Sequence, residues 1–157
     1  MRIEPADLDS AAFIALMEEH RLAMQATAPP ESQHALDLSG LKQPHVSVWV
    51  LREDDALLGC GALQHLDATH VEIKAMRTSR THLRRGVGKT LLAHLLQEAR
   101  VSSYSQASLE TGSMDYFAPA RRMYADAGFV ACGPFADTTI TATPGCCART
   151  AASPARP

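Results

Sequence analysis

The chain lacks several patterns that would assign it quickly. It has no run of 18 apolar residues, so nothing in it reads as a membrane-spanning helix. The start, Met1-Arg2-Ile3-Glu4-Pro5, has no apolar signal core, and the expectation is a cytoplasmic protein. The four cysteines, Cys60, Cys132, Cys146 and Cys147, contain no C-x-x-C pair. The seven histidines are scattered, with no H-E-x-x-H and no close Cys/His cluster, and no metal site is expected. A net charge of −2 argues against a protein that coats nucleic acid. The basic residues gather instead around 77–89 and at Arg121-Arg122, which suits one small anionic ligand. No internal repeat is visible.

What is present reads as one domain over residues 1–147, with 148–157 a tail that carries no core pattern and is expected to be disordered. A chain of 157 residues buries roughly 68–70% of its unfolded surface, enough for a core. Pro5 to about Gln25 has near-helical apolar spacing, with Asp9 or Ser10 available as a cap. Residues 26–44 hold the breakers Pro29-Pro30 and Gly40, with a short helix expected at Ala35–Leu38. Three strands follow, at 46–51, 56–63 and 71–77, joined by polar turns. Cys60 falls in the second, as a small buried hydrophobe. Lys89–Arg100 carries the stripe Leu91, Leu92, Leu95, Leu96, Ala99 and reads as a helix. A strand at 107–111, a helix at 119–127 stopped by Gly128, and a strand from Phe129 complete the pattern, with a weak last strand at Thr138–Thr143. Helices alternating with strands in this order predict an α/β (α+β) fold around a mixed sheet.

The most informative stretch is Leu83-Arg84-Arg85-Gly86-Val87-Gly88-Lys89-Thr90, between the third strand and the long helix. Glycines at 86 and 88 let the backbone turn tightly and present bare N–H groups, and the helix N-terminus adds its own. Together these suit a phosphate or pyrophosphate. Three readings stand side by side. Gly88-Lys89-Thr90 resembles the end of a nucleotide P-loop, but that motif needs Gly where Leu83 stands, and no apolar strand ends in an Asp to hold magnesium. The loop is also a plain glycine turn with a solvated basic face. Third, Arg84 to Gly88 is similar to the acyl-CoA-binding loop of the GNAT acetyltransferases, [QR]-x-x-G-x-[GA], with Leu83 departing from its first position.

A second stretch strengthens that resemblance. Ala120, Met123, Tyr124, Gly128 and Phe129 match the late-helix pattern A-x-x-L-Y-x-x-x-G-F of the GNAT family, with Met for Leu. The likeness covers residues 1 to about 135. Pro29–Ser32, His34–Leu38 and Ser108–Ser113 resemble a bacterial subgroup of the family. Phe117 stands where many relatives have Asn, and the C-terminal strand is weak enough to leave a sheet edge that a homodimer partner would shield.

The resemblance implies a mostly antiparallel central sheet flanked by helices, with acyl-CoA in a cleft where two strands splay. It implies direct acetyl transfer from acetyl-CoA, the cosubstrate, to an amine of a small molecule or peptide terminus. By the same carry-over, the backbone of Arg84, Arg85, Gly86, Val87, Gly88, Lys89 and Thr90 would hold the pyrophosphate. Met76 would donate the backbone N–H that stabilises the oxyanion, and Arg77 would lie near the pantetheine arm. Glu72 is the first candidate base, since a desolvated carboxylate has a raised pKa; its other reading is a solvent-facing Glu of an alternating strand. Glu110 is the second candidate, or a structural acceptor for Thr111 or Ser113. Tyr124 would protonate the leaving thiolate, or is a core tyrosine. Arg121 and Arg122 are either solvated or near CoA phosphates, and His34 either faces the acceptor or is polar surface. A non-catalytic acyl-CoA-binding domain is the alternative of a different class.

Overall fold

The structure, a computed structural model, describes residues 1–27, 37–112, 114–132 and 147–151, the last run by its backbone. Seven strands form one sheet in the order β1-β2-β3-β4-β5-β7-β6. They are β1 (Arg2–Pro5), β2 (Val46–Glu53), β3 (Ala56–His65), β4 (His70–Thr78), β5 (Gln106–Glu110), β6 (Val130–Cys132) and β7 (Cys147–Ala151). Every neighbouring pair is antiparallel except β4 with β5. The helices are α1 (Ala11–Thr27), α2 (Leu38–Leu41), α3 (Val87–Val101) and α4 (Ala118–Asp126). The expected mixed, mostly antiparallel sheet flanked by helices is what forms.

Strand alternation sorts the core into two layers. On one face, Phe13 and Leu16 of α1 and Leu41 of α2 pack on Val48, Val50, Cys60 and Ala62. On the other, Leu92, Leu95, Leu96 and Ala99 of α3 pack on Leu63, Val71, Ile73, Ala107 and Leu109, joined by Tyr124 and Phe129. Cys60 is fully buried as expected, and burial pushes its thiol up to about 12.

Local chemistry sets the helix ends. Ser10 caps α1: its hydroxyl accepts from Phe13 N at 3.3 Å and its carbonyl from Ile14 N at 3.0 Å. Asp37 caps α2, accepting from Gly40 N at 2.8 Å, so this short helix begins at Leu38, the last residue of the expected one. Gly128, at φ 95°, ends α4 with its N–H on Ala125 O and Phe129 N on Tyr124 O.

Several expectations need correction. α1 begins at Ala11, directly after the expected Ser10 cap, while Arg2–Pro5, to which the sequence assigns no strand, is an edge strand on β2. Four residues with one apolar side chain carry no period, and Pro5 is tolerated at a strand end on the sheet edge. Ile14 and Leu22, apolar residues of α1, are exposed. The tail expected from residue 148 is entered by β7, whose residues 147–151 pair with β5 on one side while residues 147–149 pair with β6 on the other. Its sequence has no large apolar residue to announce it; backbone pairing with residues distant in the chain creates it. The outer edge of β5 is therefore covered by β7, and β6 becomes the edge strand at that end of the sheet. The strand expected at Thr138–Thr143 lies outside the described residues.

Glycines in β3 bring that strand close to its neighbours. A Cβ at Gly59 would lie 2.6 Å from the Arg77 carbonyl oxygen and 2.8 Å from Val87 Cγ1. The carbonyl is backbone and has nowhere to go. Gly59→Ala is therefore expected to destabilise the fold by about 1–3 kcal/mol, read as a lower urea midpoint; an unchanged midpoint would show that β4 gives way freely here.

Candidate functional site

Three elements converge at one end of the sheet: the end of β4, the first turn of α3, and α4. Gly88 records this, since a Cβ there would meet Met123 Sδ of α4 at 3.3 Å and Thr78 Oγ1 of β4 at 3.6 Å.

The β4–β5 seam opens beside them. Parallel pairing runs from His70–Gln106 to Ile73–Leu109 and stops, while β4 continues to Thr78. On its other side β4 pairs Lys74 with Ala62 and Arg77 with Cys60, so Ala75 and Met76 together oppose Gly61. This is a β-bulge, and Ala75 is turned to φ 52°. Neither Ala75 nor Met76 has a register partner on β3 or β5. Gly61 permits the arrangement, because a Cβ there would lie 2.7 Å from Met76 Sδ. The bulge had no sequence signal: Lys74-Ala75-Met76 contains no Gly, Asn or Pro.

The loop before α3 leaves a bare helix start. Arg84 and Gly86 both take positive φ, 62° and 77°. Gly86 caps the helix, and its carbonyl accepts from Thr90 N at 2.9 Å and Thr90 Oγ1 at 2.8 Å. The amides of Gly86, Val87, Gly88 and Lys89 precede that first bond and have no acceptor among the described residues. Arg84 and Lys89 are exposed and form no ion pair among the described residues. The helix begins at Val87 rather than Lys89, so both glycines contribute to this bare first turn.

Other expected contacts are spoken for by the fold. Thr90 uses its hydroxyl on its own helix. The Val87 side chain is core, with Leu51, Leu58 and Leu91. Arg85 pairs with Glu53 at 2.5 Å at the surface. Arg77 pairs with Glu19 of α1 at 2.5 Å, and the same carboxylate oxygen accepts from Arg80 N at 2.9 Å. Glu19, which carried no sequence signal, thus ties α1 to the end of β4. Burial and the Arg77 charge hold the adjacent His20 neutral, its pKa pushed down to about 4. Arg121 donates to the carbonyls of Gly112 and Met114, both at 2.8 Å, and braces the turn between β5 and α4. Arg122 is exposed. Phe117 lays its ring on Gly112, where a Cβ would come within 2.2 Å of it. His34 and Ser113 lie outside the described residues.

The candidate acid–base groups fall on opposite faces of the seam. Tyr124 belongs to the α3-side cluster that includes Ile73 and Leu109, the last paired residues before the strands part. Its ring meets Phe129 edge-on at 5.7 Å, no described residue hydrogen-bonds its hydroxyl, and burial raises its pKa above the ordinary tyrosine range. Glu72 and Glu110 alternate with the core residues and face the α1 side. Glu72 is buried, 5% exposed, so it is not the solvent-facing residue of an alternating strand. Lys74 Nζ lies 3.4 Å from it. Ser108, fully buried, is its register partner on β5 and bonds His70 Nε2 at 2.6 Å. Glu72, Glu110, Ser108, His70 and Lys74 thus make a polar strip across β4 and β5, next to Gln64, the partner of Glu72 on β3.

The described residues include no group of three or more His, Cys, Asp or Glu placed to hold a metal ion, and no helix long and apolar enough to cross a membrane.

Comparison with known proteins gives a consistent result. The family described as Acetyltransferase (GNAT) family matches residues 13–129. The chain is 49% identical over 137 residues to the uncharacterized N-acetyltransferase YsnE of Bacillus subtilis (strain 168), covering 87% of this chain and 91% of that one. It is 43% identical over 135 residues to the uncharacterized N-acetyltransferase YedL of Escherichia coli (strain K12), covering 86% and 85%. Its fold is similar to that of an aminoglycoside 6'-N-acetyltransferase complexed with coenzyme A, with a TM-score of 0.73, 15% identity, and 100% and 99% of the two chains covered.

Proposed function

The chain belongs to the acetyltransferase (GNAT) family and is an acyltransferase, and from that premise we propose that it moves an acetyl group from acetyl-CoA directly to an amine of a small molecule or peptide terminus. The observation that carries this reading is the opening of the β4–β5 seam next to the bare amides of α3. One part offers a slot for an extended thioester, the other a cradle for its pyrophosphate. A cytoplasmic setting, where acetyl-CoA would be the donor, goes with the proposal.

In this reading the amides of Gly86–Lys89 hold the pyrophosphate, with Arg84 and Lys89 adding charge. Thr90 shapes the turn and Arg85 stands at its edge. The bulge at Ala75–Met76 releases the Met76 N–H from the ladder, aimed at the thioester oxygen. Arg77 contributes through its backbone, its side chain being tied to Glu19. The acceptor ammonium loses a proton to Glu72, or through water to Glu110, and the free amine attacks the carbonyl carbon. A C–N bond forms, the C–S bond breaks, the nitrogen sheds its second proton to water, and the thiolate leaves within reach of Tyr124 on the far face. Tyr124 is reprotonated from solvent once it has given up its own proton. Base and acid on opposite faces of the seam suit this order, because acceptor and leaving group need not compete for one space. Burial keeps Tyr124 protonated and makes it a weaker acid than a free tyrosine. Its role is then to hydrogen-bond the departing sulfur and give up its proton as the charge develops.

Calorimetric titration tests the cradle. Nothing lies within 4 Å of a Cβ built on Gly86, so an indole there has room, but the φ of 77° strains any L side chain, and Gly86→Ala, which shares that strain without the bulk, is the reference for Gly86→Trp. Acetyl-CoA should bind the wild type in the micromolar range and bind Gly86→Trp at least about tenfold more weakly. No binding of acetyl-CoA by the folded wild type would end the proposal.

A further inference from the structure

At the other end of α3, about 22 Å from the glycine loop along a fifteen-residue helix, lies a cavity of about 440 Å³. It opens between the start of β2, the end of β3 and the last turn of α3. Leu63 and Val71, both buried, form its floor, and Trp49, His65, Tyr104 and Glu98 line it. The acetyl transfer proposed above uses none of these residues.

The walls are held in place. His65 Nδ1 and Tyr104 Oη are 2.6 Å apart, which links the two rings at an interplanar angle of 56°. Trp49 is braced edge-on by His94, with centroids 5.4 Å apart. The charge is of one sign. Among the described lining residues Glu98 is the only Asp, Glu, Lys or Arg; it lies 3.7 Å from His94 Nε2 and its side chain is partly exposed. Ser102, the cap of α3, also lines it, so the negative end of the helix dipole points the same way. Aromatic faces favour a cation as well. An anion would find no Lys or Arg among the described lining residues. The volume is within the range of small-molecule sites, about 300–1,000 Å³.

We propose that this cavity is a second ligand site that takes a small organic cation, an alkylammonium or quaternary ammonium, between Trp49, Tyr104 and Glu98. It is separate from the acceptor site and does not rest on the acetyltransferase reading.

Trp49 is the only tryptophan of the chain, so its fluorescence reports directly on the cavity. The probe is choline, which has no amine to acetylate, titrated into the full chain at constant ionic strength. The control is 3,3-dimethylbutan-1-ol, the same shape with carbon in place of nitrogen. The expected result is a saturable fluorescence change with choline at a Kd at least about tenfold below that of the alcohol. Glu98→Gln should weaken choline about tenfold and leave the alcohol unchanged. Ser47→Lys, an exposed change at the rim, should abolish choline binding, and Glu72→Gln should leave it intact. Unfolding curves that match wild type show that each variant is folded. No saturable response, equal binding of the alcohol, indifference to both cavity variants, or loss in Glu72→Gln would each overturn the proposal.

Discussion

Tyr124→Phe is expected to lower kcat by about 10²–10⁴-fold while leaving acetyl-CoA affinity unchanged. The substitution deletes one hydroxyl, and no described residue bonds that hydroxyl, so the ring keeps its place against Phe129 and the α3-side core. A tyrosine that merely packs would lose nothing in turnover. The pH profile supplies a second reading. Because burial raises the Tyr124 pKa, the hydroxyl stays protonated through and beyond the range where a free tyrosine ionises. The wild-type kcat should therefore show no falling limb from this group up to about pH 10. Full activity of Tyr124→Phe, measured by thiol release, would leave Tyr124 a core residue and the thiolate to be protonated by solvent.

Glu72→Gln should cut kcat/KM for the amine acceptor by about 10²–10⁴-fold at neutral pH. Activity should recover as pH rises toward the pKa of the amine, since an acceptor that arrives as free base needs no protein base. Glu110→Gln is the matched control on the same face of the seam. If Glu110→Gln carries the large loss and the pH rescue, the roles of the two carboxylates exchange. If neither does, the base lies elsewhere and the burial of Glu72 beside Lys74 is structural.

How much of this was legible beforehand depends on how local the signal is. The α3 stripe, the three hairpin strands and the glycine loop are local: each is set by the period of its own apolar residues or by glycines that permit a turn. The core of α3 and the burial of Cys60 follow that pattern residue by residue. The bulge at Ala75–Met76 is not local. It exists because Gly61 on the neighbouring strand leaves room for Met76, and the pairing resumes one step out of register. Likewise Arg77 reads as a free cation in sequence, yet Glu19, far off in the chain, claims it. β7 had no apolar period and is a strand only because β5 and β6 leave a slot between them.

By itself, then, the sequence determined the layered α/β class, the glycine turn before α3 and the family to which the chain belongs, because periodicity and glycine placement act over a few residues. The tertiary structure alone decided which charges remain available to a ligand and which faces of the seam Glu72 and Tyr124 occupy. It also decided that aromatic and acidic residues from three parts of the chain meet in one cavity. Those facts depend on strand register and on contacts between distant segments, which no local pattern encodes.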